Sequence, residues 1–249
     1  MLPTVHPACK LVNYKKPQVS ASLLRIESMF FLSVVDGKSE PAFANWMAKA
    51  LSANLSRVDL RKETPSAESK VFEQILQNLM KKSCEDWMKI AVRTPLLQSF
   101  TCSVGAIFID GFNVSIAYCG SIKIFRSSKI GKKVNVTKDC SNRLIGFNSG
   151  SRPAELYEIC SFHVEPCESL QGAFMIIVTE GIWSLLTNAE AYDIVVKSLR
   201  LEWDGNLAAK KLVSAATELA EQNNVNLQYD LTAIVVCWRE HDRLYRKSL

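Results

Sequence analysis

Three short apolar runs constrain this chain most: "MFFLSVVDG" at 29–37, "AFMIIVTEG" at 173–181 and "DLTAIVVCW" at 230–238. Each is far shorter than the roughly 20 apolar residues of a membrane span. Each is rich in β-branched and aromatic residues without alternation, which predicts strands buried on both faces. Each also carries a carboxylate at one end: Asp36, Glu180 and Asp230. Sheets built from such strands must be covered on both sides.

Helical segments are available as cover. "SEPAFANWMAKALSANL" puts Phe43, Trp46, Met47, Ala50 and Leu51 on one face, with Ser39 as cap and Pro41 in the first turn. A charged link, "RVDLRKETPS", leads to a longer helix. Its face is Val71, Phe72, Ile75, Leu76 and Leu79, extended towards Trp87 and Met88. Further on, "TNAEAYDIVVKSLR" opens with Thr187 and Glu190 as a capping box, and "NLAAKKLVSAATELAEQNN" is amphipathic. Between these pairs, "SVGAIFIDGFNVSIAYCGSIKIFRSSKIGKKVNVTKD" is a strand meander with turns at Asp110-Gly111, Gly120 and Gly131. Residues 140–172 read as irregular. The order is strand, two helices, a block of strands, strand, two helices, strand. It predicts an α+β domain in which helical hairpins cover antiparallel sheets.

Composition narrows the function classes. The 249 residues are 48% hydrophobic and 22% charged, which fits one large globular domain and excludes a disordered chain. The net charge of +5 is densest at Lys123, Arg126, Lys129, Lys132, Lys133 and Lys138, where Phe125 alone could stack on a base. That reads as a solvated hairpin tip, so nucleic acid is not the expected partner. The segment "MLPTVHPACKLVNYKK" has no signal-peptide run and no stretch could span a membrane. The expected setting is therefore intracellular, cytoplasmic and/or nuclear, with the eight cysteines reduced. In "CSFHVEPC", Cys160, His163 and Cys167 lack the paired short spacing of a zinc site and are expected on a strand by chance. The sequons at Asn54, Asn113 and Asn135 are expected to stay unused.

Taken in order, the motifs resemble the metal-dependent serine/threonine phosphatases of type 2C (the PPM-type domain). "FFLSVVDGKSEPAFANWMAKAL" is similar to that family's strand, Asp-Gly-His-Gly motif and first helix. The meander resembles its hairpins, which run from a Gly-Asp-Ser-Arg turn to a Leu-Thr-Lys-Asp end. "FMIIVTEGIWSLLTNAEAYDIV" resembles its Ser-Asp-Gly-Leu-Trp-Asp segment, and "YDLTAIVV" its closing Asp-Asn-Ile-Thr strand. The resemblance covers residues 29–238, leaving 1–28 as an N-terminal extension or partial first strands and 239–249 as a basic tail. It implies a four-layer αββα sandwich of two antiparallel sheets flanked by helical pairs. It also implies a pair of Mn or Mg ions whose bridging water attacks a phosphoserine or phosphothreonine.

Carried over residue by residue, the implied metal ligands are Asp36, the Gly37 carbonyl, Glu180 and Asp230. The departures are heavier than the matches. Glu180 stands for an aspartate, and its extra methylene moves the carboxylate outward by more than about 1 Å. Lys38 replaces the histidine after Asp-Gly and is a poor proton donor at its ordinary pKa. Ser121 replaces the aspartate of Gly-Asp-Ser-Arg, and Leu231 an asparagine. Ahead of Asp36 the only acidic residue is Glu27, and Arg25 stands too near the strand to serve as the family's phosphate-gripping arginine. The flap segment is shortened to the stretch between Asp139 and Phe174. No catalytic residue and no cofactor are expected, Mn or Mg being the ions that a vestigial site would take. The expected function is a pseudophosphatase that engages a kinase, phosphatase or phosphoprotein in phosphorylation signalling. The alternative is a weak Mn/Mg-dependent serine/threonine phosphatase with a rebuilt site.

Overall fold

The computed structural model describes residues 3–10, 18–26, 29–37, 41–58, 69–91, 101–127, 133–137, 145–146, 158–163 and 172–239. The strands are β1 (Thr4–Lys10), β2 (Val19–Ile26), β3 (Met29–Asp36), β4 (Thr101–Asp110), β5 (Asn113–Cys119) and β6 (Lys123–Ser127). They continue with β7 (Lys133–Asn135), β8 (Ile145–Gly146), β9 (Glu158–His163), β10 (Gly172–Val178) and β11 (Leu231–Arg239). The helices are α1 (Pro41–Leu55), α2 (Ser69–Ala91), α3 (Glu180–Trp183), α4 (Asn188–Leu201) and α5 (Gly205–Gln222). Two compact units result: a central one, Asn13–Ile122 with Thr137–Phe162, and a terminal one, Met1–Val12 with Lys123–Val136 and His163–Leu249.

In the central unit the sheet runs β2-β3-β4-β5-β9, with β8 paired to β4. Its helices form because their apolar residues recur on one face. Phe43, Met47, Leu51 and Leu55 of α1, and Phe72, Ile75, Leu76 and Leu79 of α2, are buried against Phe31, Val35, Val104 and Phe108. Aromatic rings join the layers: Phe72 stacks on Phe108 at 4.6 Å between centroids, and Phe43 meets Trp87 edge-on at 4.4 Å. The Ser33 hydroxyl donates to the Ala48 carbonyl at 3.0 Å, so this strand polar group costs little despite burial. Asn54 is buried and its amide donates to Ser83 Oγ at 3.1 Å, which removes that sequon from the surface.

The terminal unit's sheet runs β1-β11-β10-β6-β7. Phe174, Ile176, Val178, Ala233 and Val235 pack with Val195, Leu199, Leu212 and Ala216 of α4 and α5. The Asp204 carboxylate caps α5, accepting from Asn206 N at 2.8 Å and Leu207 N at 3.3 Å. At α4 the capping box forms as expected: Thr187 N donates to Glu190 Oε2 at 2.8 Å and Glu190 N to Thr187 Oγ1 at 3.3 Å. Hydrogen bonds from the Thr187 hydroxyl and then its backbone N–H hold the Glu190 carboxyl below its ordinary pKa. A depressed folded pKa stabilises above the unfolded value and is lost as pH falls through the folded one. Thr187→Ala is therefore expected to lower the melting temperature at pH 7, with a smaller gap below about pH 4. Calorimetric scans of both proteins across that range test it, and a gap that widens in acid would contradict it.

Three expectations need revision or completion. Residues 140–172, read as irregular apart from the strand expected at Cys160 and His163, contain the two-residue β8 and that strand as β9. Glu180 does not end a strand: β10 stops at Val178, and Glu180 opens α3. Within residues 1–28, β1 pairs with β11 and β2 with β3, so each sheet takes a strand from there. Gly111 and Gly120 have positive φ, as turns require. Ser39, Gly131 and Cys167 lie outside the described residues. Cys102, Cys119 and Cys237 are buried thiols, and Cys160 lies on β9. Among the described residues no helix is long and apolar enough to cross a membrane.

Candidate functional site

Asp36 is the last residue of β3 and only 1% exposed. Alternation along the strand puts Phe31 and Val35 on the helix-covered face, so Asp36 lies with Leu32 and Val34 on the other. Its register partners are Val19 on β2 and Ser103 on β4. Gly37 extends the ladder by donating its N–H to the Gln18 carbonyl at 2.9 Å. Beside Asp36, the buried Ser103 hydroxyl accepts from Ser121 N at 2.9 Å and lies 2.8 Å from Ser121 Oγ. Gly120 makes this possible. Its φ is +85°, and a Cβ there would fall 2.4 Å from Ser103 Oγ and 2.9 Å from Ser103 Cα. The serine at 121 is thus bonded to Ser103 at the position where the resemblance has the aspartate of Gly-Asp-Ser-Arg.

β2 supplies no carboxylate, its sequence being VSASLLRI. Arg25 pairs with Phe30 at the far end of the hairpin from Asp36, six residues along β2 from Val19, or about 20 Å. Glu27 and Lys38 lie outside the described residues.

The other two carboxylates meet at one end of the terminal sheet. Thr179 N donates to the Thr232 carbonyl at 3.1 Å, which continues the β10–β11 ladder one residue past Val178. Gly181 then packs directly on the Asp230 backbone: an added Cβ would lie 2.4 Å from the Asp230 carbonyl oxygen. This contact sets Glu180 and Asp230 side by side along the chain path. Asp230 is 1% exposed, whereas Glu180 is half-buried. At the same sheet end, Lys123 pairs with Val178, and its ammonium sits 4.0 Å over the Trp183 ring. That fixes a positive charge against α3, where it opposes any dication drawn by Glu180. It also explains why Lys123 is not a loose surface cation, and Phe125, 1% exposed, offers no face to a base.

Sequence reasoning picked out Asp36, Gly37, Glu180 and Asp230 but missed Ser103, Thr179 and Lys123. No local signal marks Ser103 or Thr179, each a small polar residue in an apolar strand or at its end. Their importance follows only from register. Among the described residues, no three His, Cys, Asp or Glu side chains gather closely enough to hold a metal ion. Within the central unit, β2 brings no acid beside Asp36, and the group bonded to its register partner Ser103 is the Ser121 hydroxyl.

Solved structures with this fold are serine/threonine phosphatases of type 2C among others. The sequence pattern described as Protein phosphatase 2C matches residues 163–225. Among solved structures, the chain is similar to the serine-threonine phosphatase 2C from Toxoplasma gondii, with TM-score 0.77 and 14% identity over 96% of this chain and 98% of that one. It is similar to the S. agalactiae serine/threonine phosphatase, with TM-score 0.71 and 13% identity over 96% and 100% of the two chains. A C. elegans sex determining protein also matches, with TM-score 0.73 and 13% identity over 95% of this chain and 65% of that one. No curated protein matches the sequence. The chain thus shares the fold of these phosphatases over nearly its whole length, and the sequence pattern described as Protein phosphatase 2C over residues 163–225.

Proposed function

We propose that this chain is a pseudophosphatase, a type 2C scaffold that acts as a binding or regulatory module in phosphorylation signalling. The observation that carries the reading is the closed Ser103–Ser121 hydroxyl pair beside Asp36. It puts a neutral hydroxyl where the resemblance has the aspartate of Gly-Asp-Ser-Arg, in a unit whose β2 strand has no acid. The partner expected from the resemblance is a kinase, a phosphatase or a phosphoprotein, held by the surface of the fold.

One observation favours a second reading. Asp36 and Asp230 are both almost wholly buried and stand beside strand ends, at two of the positions where the resemblance implies metal ligands. A weak Mn/Mg-dependent serine/threonine phosphatase would give them a use. Calorimetric titration of the metal-stripped protein with MnCl2 separates the two. The pseudophosphatase reading expects no saturable heat up to millimolar Mn2+. Two ions bound at micromolar affinity, with phosphopeptide hydrolysis abolished by Asp36→Ala, would replace it with the second reading.

A further inference from the structure

On the terminal unit, α4 and α5 leave a groove of about 310 Å³ between them. Leu186, Ile194, Ala215 and Leu219 form its apolar part, and Asp193 and Glu218 stand on opposite helices across it. We propose that this groove docks a basic amphipathic helix of a partner protein. None of Asp36, Glu180 and Asp230 lines it, so the inference does not rest on whether the metal centre is alive.

Shape and charge both support that occupant. The lining residues recur at helical spacing on both walls, 186, 190, 193, 194 and 197 on one and 215, 218, 219 and 222 on the other. Two parallel ridges with an apolar trough between them accept a third helix, whose apolar residues at i, i+3, i+4 and i+7 fill the trough. The charges of the helical pair are polarised along its length. Towards the connection between the helices Arg200, Lys210 and Lys211 stand with Glu202 and Asp204, whereas at the groove end Glu190, Asp193, Glu218 and Glu221 gather. Lys197 is the one cation that lines the groove.

Glu190 serves the α4 cap, but the α5 acids do not serve helix stability. Glu218 and Glu221 fall in the last five residues of α5, where the macrodipole is negative and cations are favoured, and its last turn has no basic residue. They are also like charges at i, i+3, a spacing that destabilises. Acids held against both preferences, in a chain of net charge +5, are what a cationic partner would select.

The test is display of a library of helix-biased 16-residue peptides on the immobilised full chain. Enriched sequences are expected to carry Lys or Arg flanking apolar residues at i, i+3, i+4 and i+7. They are expected to bind at least tenfold more weakly to Ala215→Trp, which plugs the trough, and to the Asp193→Lys/Glu218→Lys double variant, which reverses its walls. The double variant changes only exposed side chains, so it keeps the test valid if the tryptophan disturbs packing. Failure to enrich any family, enrichment of acidic sequences, or binding that both variants leave unchanged would overturn the proposal.

Discussion

Replacing Gly120 by alanine is expected to lower the free energy of unfolding by about 3 kcal/mol, the largest effect of any single methyl group in the central unit. Two causes add. At φ +85° any Cβ is strained, which costs about 1–2 kcal/mol. The new methyl also points into Ser103, 2.4 Å from its Oγ and 2.9 Å from its Cα. A hydroxyl can rotate away, but the backbone Cα belongs to β4, which is paired on both sides with β3 and β5, and cannot. Denaturant titration should show the loss, with a fall in melting temperature of roughly 6–12 °C. Gly111→Ala is the control. That glycine has φ +56° but nothing within 4 Å of its virtual Cβ, so only the conformational cost applies. Equal losses at the two positions would show that the contact with Ser103 is not the cause.

Ser121→Asp is the second large effect, and it bears on function. The substitution restores the residue type that the family resemblance implies. Here it would place an anion at a position 2% exposed, bonded to Ser103, the register partner of the buried Asp36. An uncompensated buried charge costs about 3 kcal/mol or more at pH 7. The loss should shrink as pH falls, because the buried carboxyl titrates at a raised pKa and its neutral form is cheaper to bury. Ser121→Ala, which removes only a hydroxyl bond, should cost about 1 kcal/mol. Thermal melts with and without millimolar Mn2+ give the functional reading. If Mn2+ leaves the Asp variant as unstable as before, the surroundings no longer form a metal centre. Full recovery by Mn2+ would mean that one substitution rebuilds it, and that this serine is the main lesion.

What was legible in the sequence followed physical rules that act locally. The buried strands showed because no alternation interrupts "FMIIV" or "TAIVV", and the α4 start showed because Thr187 and Glu190 need only each other. Edge strands were harder. β1, with Pro7 in its middle, looks broken, yet it pairs only with β11, and an edge strand tolerates a missing N–H. β2 is likewise an edge strand, half exposed along its length, so its residues carry only a faint alternation. At the site, Asp36 and Asp230 were found by their place at strand ends and Glu180 by its nearness to one, but the helix that begins at Glu180 was not. Nor was Ser103, which gains its meaning from the pairing of residues 36 with 103 and its bond to residue 121.

The order of strands in the terminal sheet has a consequence for the protein's birth. β1, near the start of the chain, hydrogen-bonds to β11, near its end, so Thr4 and Cys237 meet across 233 residues. At ribosomal speeds of about 5–20 residues per second, β1 waits roughly 12–47 s for its neighbour to be synthesised. All that time the edge of β1 is a template without a partner, and the edge of β10 is one for the last roughly 3–11 s. Most of the central unit lies earlier in the chain and is free to fold meanwhile. A premature stop just before residue 231 would remove the strand between β1 and β10 and leave a nascent chain that can never close its terminal sheet.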